Sequence, residues 1–264
     1  MCDGDRDWLC GDSLPEQHGK CGGKGAFLSI RCWTIVEAAS TNAEVLALAA
    51  QGEAEGLWVR AERQSAGRGR MGRDWASPLG NLYASYLIRV RSGDPPAATL
   101  GFVAAVALAK ILPFYAPDAG FRIKWPNDVL ANGAKISGIL LERAGNAVVM
   151  GIGVNLASHP TIKDRQTTSI AALTGSAPDP AIFLDYLGEA VERGIALWRS
   201  GGLATILAQW RAAAHPVGTA LTVSLPNGER LNGVFEGLDP AGALKLALAD
   251  GSVHAIHAGD VFLI

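Results

Sequence analysis

The sequence predicts an α+β fold: a mixed or antiparallel sheet with packed helices, followed by a small all-β module. Three observations predict it. Between residues 30 and 214, hairpin signals outnumber strand–helix–strand units, which disfavours a doubly wound parallel sheet. From Pro216 the pattern changes to short alternating strands separated by Pro226-Asn227-Gly228, Asp239-Pro240-Ala241-Gly242 and Asp250-Gly251, the pattern of a compact barrel. The chain has 264 residues, 49% hydrophobic and 18% charged, enough to bury a main domain and a small one. The expected division is a disordered leader at 1–29, a main domain at 30–214 and a C-terminal module at 215–264.

The elements follow in order. Arg31 to Val36 is aromatic and β-branched and reads as a strand. Ser40-Thr41-Asn42 with Glu44 forms a helix-capping cluster ahead of the apolar run Val45 to Ala50. Leu57 to Glu62 reads as a strand that enters a loop rich in glycine and arginine. Asn81 to Arg91 reads as a strand, Thr99 to Tyr115 as a helix and Phe121 to Trp125 as a short strand. Val129-Leu130 and Ile136 to Glu142 flank Asn132-Gly133, a strong hairpin-turn dipeptide. Val148 to Val154 reads as a buried strand, and Pro180 to Trp198 and Leu203 to Ala213 as two helices.

Composition excludes several function classes. The net charge of −2 gives no electrostatic basis for nucleic-acid or anionic-membrane binding. The longest apolar stretch, Phe102 to Leu112, is interrupted by Lys110 and falls short of the roughly 20 residues that span a bilayer. All four cysteines, Cys2, Cys10, Cys21 and Cys32, lie in the first 32 residues. They cannot knit the fold together, and their spacing matches no metal-ligand pattern. Asp3, Asp5 and Asp7 with no apolar segment argue against a secretory signal, so a reducing cytoplasm is expected.

Two segments carry the chemistry. Gly67-Arg68-Gly69-Arg70-Met71-Gly72-Arg73 packs three arginines and three glycines into seven residues. Glycines let backbone approach a ligand closely, and arginines fork onto carboxylate and phosphate oxygens. The loop satisfies G-x-G-x-x-G, but it runs into Asp74-Trp75-Ala76-Ser77-Pro78, a poor helix start, so it is not a dinucleotide fingerprint. Gly23-Lys24 is followed by Gly25 and is no Walker loop. Lys124-Trp125-Pro126-Asn127-Asp128 taken alone reads equally well as a core tryptophan and a turn. Asp128, however, sits just before a hairpin strand, and Lys135 returns beside it past the Asn132-Gly133 turn. Gly151 and Gly153 in a buried strand mark a close backbone approach.

With Ser40-Thr41-Asn42, Gln64 to Trp75, Lys124 to Asp128, Lys135 to Glu142 and Gly151 to Asn155 in this order and spacing, the chain resembles the biotin protein ligases. The resemblance runs from about Arg31 to the C-terminus. It implies a class II synthetase-like catalytic domain with an SH3-like C-terminal module. Only some 30 residues precede the matching segment, so the monofunctional type without a DNA-binding domain is expected. The implied activity is ATP-dependent biotinylation. The carboxylate of biotin attacks the α-phosphate to give biotinyl-5′-AMP, and a lysine of a biotin carboxyl carrier protein then attacks the mixed anhydride. ATP, biotin and Mg²⁺ are the implied small molecules, and a monomer or weak homodimer the implied state. The resemblance assigns Ser40, Thr41, Asn42, Gln64, Gly67, Arg68, Gly69, Arg70, Lys135 and Gly138 to biotin. It assigns Arg68, Arg70, Arg73, Trp75, Trp125, Asn127, Lys135, Gly153 and Asn155 to ATP and the adenylate. Lys135, Arg70 and Asp128 are the catalytic candidates, with Asp128 either orienting the incoming lysine or accepting its proton. A lipoate–protein ligase and a biotin-dependent transcription regulator are the alternatives.

Overall fold

The structure is a computed structural model that describes residues 30–162 and 165–263. The leader and three of the four cysteines lie outside the described residues. β1 (Arg31–Ala38) and β2 (Leu57–Gln64) pair in parallel and are joined by α1 (Thr41–Ala50). β3 (Leu82–Arg89), α2 (Leu100–Tyr115), β4 (Phe121–Lys124), β5 (Asp128–Ala131), β6 (Ala134–Ala144) and β7 (Ala147–Val154) follow. They complete a seven-stranded sheet in the order β1-β2-β3-β7-β6-β5-β4. Every pair except β1–β2 is antiparallel, so the sheet is mixed. Asn132 and Gly133, both at positive φ, close the β5–β6 hairpin as the dipeptide required.

α3 (Ile170–Thr174) is a single turn that sequence periodicity does not reveal. α4 (Pro180–Ala213) joins the two expected helices, with a break at Gly202, φ 73° and ψ 175°. Asp179 caps its start by accepting from the backbone N–H groups of Ala181 and Ile182. The first helix is capped differently from expectation. The Ser40 side chain makes no capping bond, and Gln64 Oε1 accepts from Thr41 N at 2.8 Å instead.

α1 covers one face of the sheet, with Val45 and Ala49 packed on Leu57, Val59, Leu87 and Val149. α2 and α4 cover the other face over a core that contains Trp58, Leu82, Met150, Phe183 and Trp198. The helical run Ala97–Tyr115 is 19 residues long with a mean hydropathy of 1.9. This corrects the shorter apolar stretch read from the sequence: by length and composition the run could cross a bilayer. Most of its apolar residues are instead buried between the sheet and α4, while Phe114 near its end is exposed.

The C-terminal module comprises β8 (Ala220–Ser224), β9 (Arg230–Leu238), β10 (Leu244–Ala247), β11 (Val253–Ile256) and β12 (Asp260–Leu263). They form an antiparallel sheet in the order β11-β10-β9-β8-β12. Trp210 of α4 packs edge-on against Phe102 and Phe235, joining this module to the main body. Trp125 Nε1 donates to Gly242 O at 3.1 Å and Lys124 Nζ to Val261 O at 3.0 Å, so the module abuts the Lys124–Asp128 segment.

Trp198 is fully buried and its Nε1 donates to Thr99 Oγ1 at 2.8 Å. Trp198→Ala should therefore cost about 3–5 kcal/mol of unfolding free energy, measured by urea denaturation.

Candidate active site

The register of the sheet builds the floor of the site. Across adjacent strands Lys124 faces Asp128, Asp128 faces Gly138, Gly138 faces Gly153, and Gly153 faces Tyr83. The next row on the same face runs Leu140, Gly151, Ser85. Glycines at 138, 151 and 153 leave shelves that a side chain from elsewhere occupies. A Cβ on Gly153 would come within 2.6 Å of the Trp75 indole, and one on Gly138 within 3.0 Å. A Cβ on Gly151 would strike Asn42 Oδ1 at 2.2 Å. Trp75 and Asn42 thus lie directly on bare strand backbone.

The cleft over this floor has a volume of about 400 Å³. Of the sequence-predicted residues, Ser40, Thr41, Asn42, Gln64, Arg68, Gly69, Arg70, Arg73, Trp75, Trp125, Asn127, Asp128, Lys135, Gly138, Gly153 and Asn155 line it. Gly67 does not. It packs under Trp75 O and Ser77, where a Cβ would approach within 2.6 Å of each, so its part is to let the loop turn. The amide of Asn155 is engaged in structure: it is buried and donates to Thr168 O, holding the chain ahead of α3.

The glycine–arginine loop crosses the cleft as a tight turn, with Gly69 N bonded to Arg73 O and Trp75 N to Gly67 O. Met71 sits at its tip with φ 57°. Its three arginines are anchored on three different elements. Arg68 pairs with Glu142 of β6 at 3.3 Å. Arg70 donates to Asn127 Oδ1 at 3.2 Å. Arg73 reaches Asp260 of β12, which also pairs with Arg165 at 3.5 Å.

At the other end of the floor, Asp128 lies between two ammonium groups. Lys135 Nζ is 2.5 Å from Oδ1 and Lys124 Nζ 3.4 Å from Oδ2. Burial alone would raise the Asp128 carboxyl, but Lys135 and Lys124 outweigh it and hold the group below its ordinary value. Burial likewise depresses the Lys124 ammonium, and Asp128 only partly restores it. Lys135 Nζ also stands 5.3 Å from the centre of the Trp75 ring. Backbone bonds from Lys135 N to Gln166 O and from Thr168 N to Lys135 O lay the 165–168 segment beside it.

Several cleft residues escape sequence reasoning. Arg165, Thr167 and Asp260 line the cleft beside the expected set, as do Gly151 and Lys124, which the sequence motifs mark without assigning a ligand. Ser85 lies beneath it, fully buried, and bonds both Thr41 and Asn42. Its signal is a hydroxyl inside the apolar strand Leu82–Arg89; Asp260 has no local signal, because its partner Arg73 is 187 residues away.

The chain is similar to known proteins over most of its length. Residues 38–156 match the biotin/lipoate A/B protein ligase family, and residues 220–264 the biotin protein ligase C-terminal domain. The chain is 43% identical to the biotin–[acetyl-CoA-carboxylase] ligase of Paracoccus denitrificans, over 84% of this chain and 96% of that one. It is 36% identical to the corresponding ligase of Mycobacterium tuberculosis, over 86% of each. The fold matches that of the biotin protein ligase from Aquifex aeolicus in complex with biotin and ATP. The TM-score is 0.77 at 23% identity, covering 89% of this chain and 98% of that one.

The buried trio yields a pH-dependent prediction. Asp128→Asn removes the carboxylate and leaves Lys124 and Lys135 unpaired, at a cost on the order of 3 kcal/mol at pH 7. A carboxyl with a depressed folded pKa contributes stability above its unfolded value, about 3.9, and loses it as pH falls through the folded value. The stability gap between parent and variant should stay constant from pH 7 to about pH 4 and shrink below it. Urea unfolding across that range measures it.

Proposed function

The chain belongs to the biotin/lipoate A/B protein ligase family, and we propose that it is an ATP-dependent biotin–protein ligase. One observation carries this reading most directly: a lysine–aspartate pair beside a bare-glycine floor, under a loop with three arginines. Attack of one anion on another's phosphorus requires positive charge and fixed orientation, which this cleft concentrates.

In the first half-reaction the carboxylate of biotin attacks the α-phosphate of ATP, forming biotinyl-5′-AMP and releasing pyrophosphate. Lys135 stabilises the carboxylate and the phosphoryl oxygens as their charges shift. Arg70 and Arg68 flank the adenylate, Arg73 and Arg165 meet the polyphosphate, and Trp75, Trp125 and Asn127 border the nucleotide side. Ser40, Thr41 and Gln64 meet the bicyclic head of biotin. In the second half-reaction the amine of a carrier lysine attacks the mixed anhydride and AMP leaves. A carboxylate held below its ordinary pKa is a weak base, which favours an orienting role for Asp128 over proton acceptance.

ATP enters as its magnesium complex. Among the described residues no three metal-ligating side chains cluster, and the cleft carboxylates Asp128 and Asp260 are already ion-paired. In this reading the metal ion is carried on the phosphates as part of the substrate. The carrier is a biotin carboxyl carrier protein, modified on a single lysine. The reading includes no nucleic-acid or membrane partner, and a monomer or weak homodimer suffices for it.

Mass spectrometry of the purified protein with ATP, biotin or lipoate, and a carrier domain tests the substrate. One biotinyl group on one carrier lysine is expected; charging with lipoate but not with biotin would overturn the reading. Lys135→Ala should slow single-turnover adenylate formation by about 10²-fold or more, the scale for losing a transition-state donor. Arg70→Gly breaks the contact to Asn127 that closes the loop. It should speed dissociation of biotinyl-5′-AMP more than it slows synthesis, as filter binding would show.

A further inference from the structure

The last strand of the chain gathers cations. Asp260, Val261 and Phe262 are consecutive residues of β12, and each holds a positive side chain that lines the cleft. Asp260 takes both terminal nitrogens of Arg73: Nη1 donates to Oδ1 at 3.2 Å and Nη2 to Oδ2. Arg165 Nη2 stands 3.5 Å from the same Oδ2. Lys124 Nζ donates to Val261 O at 3.0 Å, and the Arg165 guanidinium lies 5.5 Å from the centre of the Phe262 ring.

These attachments differ in charge. Val261 and Phe262 hold their cations without cancelling them, whereas Asp260 adds a full negative charge to the cleft wall. Burial opposes its ionisation, but Arg73 and Arg165 outweigh burial and keep the carboxylate in place. The end of the Arg73 fork that Asp260 occupies is the one a phosphate grips with two parallel bonds. Nη2 also faces Met71 Sδ at 3.8 Å, so both terminal nitrogens are engaged. A phosphate that binds Arg73 end-on must take the place of the carboxylate. Phosphates carry more negative charge than one carboxylate, and Arg165 and Lys124 stand beside the pair to receive it.

We propose that Asp260 is a positioning residue that acts as an exchangeable counter-anion: its carboxylate holds Arg73 and Arg165 between turnovers, yields them to the β- and γ-phosphates of ATP, and takes them back as pyrophosphate leaves. One anion replaces another on the same guanidinium groups, with no proton moved and no covalent bond changed. The exchange weakens the hold on ATP and on pyrophosphate alike. A weak hold on pyrophosphate matters once the adenylate has formed, because a product kept in place would allow the reverse reaction. The inference rests on the biotin ligase reading above and deepens it: the C-terminal module supplies the group that helps pyrophosphate depart.

The test is calorimetric binding of inorganic pyrophosphate to the full chain in magnesium buffer, together with steady-state adenylation. Removing one negative charge beside a polyanion should make Asp260→Asn bind pyrophosphate about fivefold more tightly and lower the KM for ATP by a similar factor. The KM for biotin should stay within about twofold of the parent. General loosening of the cleft would move both phosphate affinities the other way. Asp260→Ser removes the same charge and replaces the asparagine variant should that fail to fold. In an Arg73→Ala background the gain should fall by half or more, because the exchange passes through Arg73. Pyrophosphate affinity that is unchanged or weaker without the carboxylate overturns the proposal. So does a gain that persists in full without Arg73, and so does a parent that binds no pyrophosphate. A parent that binds pyrophosphate but forms no biotinyl-5′-AMP overturns the ligase reading instead.

Discussion

Gly138 and Gly153 face each other across two antiparallel strands, and no side chain rises between them. Trp75 fills that space from the loop above, with its ring within 3.0 Å of where either Cβ would stand. Much of the site depends on this seat. It fixes where the glycine–arginine loop lands, and so where its arginines begin. It brings the Trp75 ring beside Lys135, which the same floor holds against Asp128. Larger residues at either glycine would lift the indole and the loop with it, whatever their chemistry.

The loop is then tied at three points that share no element. Glu142 belongs to β6, Asn127 to the turn before β5, and Asp260 to the last strand of the C-terminal module. The cleft is therefore a property of both sheets together. Asp260 sits below its ordinary carboxylate value: burial opposes ionisation, but Arg73 and Arg165 outweigh it. An anionic substrate that meets these arginines competes with a carboxylate already in place. Cationic side chains can thus be stored in a partly dry cleft without the repulsion they would otherwise exert on one another.

Polar groups on the floor fall into two sets with different duties. The Lys124–Asp128–Lys135 trio handles net charge, and its members come from adjacent strands of one hairpin system. The Gln64–Thr41–Ser85–Asn42 chain is neutral and ties the start of α1 to β2 and β3. Gln64 has a further structural duty, since its oxygen caps α1 where Ser40 was expected to do so. Sequence identifies Ser40 as a capping type but cannot show that a strand 24 residues later supplies a better-placed acceptor.

Local signals determined much of this protein. Asn132-Gly133 dictates a hairpin turn because both positions need positive φ, and that turn alone brings Lys135 back beside Asp128. The paired glycines of Gly151 to Gly153 announce a close approach, and the loop from Gly67 to Arg73 announces a concentration of cations on a yielding backbone, by residue type. The turn-rich alternation after Pro216 marks the change to a second sheet. Tertiary structure alone decided which partners these residues take. Trp75 could have been core, but the bare backbone at Gly138 and Gly153 lies 63 or more positions away. Asp260 meets Arg73 only because Trp210, Phe102 and Phe235 pack the small sheet against the body. Ser85 looks like an incidental hydroxyl in an apolar strand until the register places it opposite Gly151 and under Asn42. Backbone conformation is set within a few residues and can be read there. Contacts across strands and sheets depend on register and burial, which no local window contains.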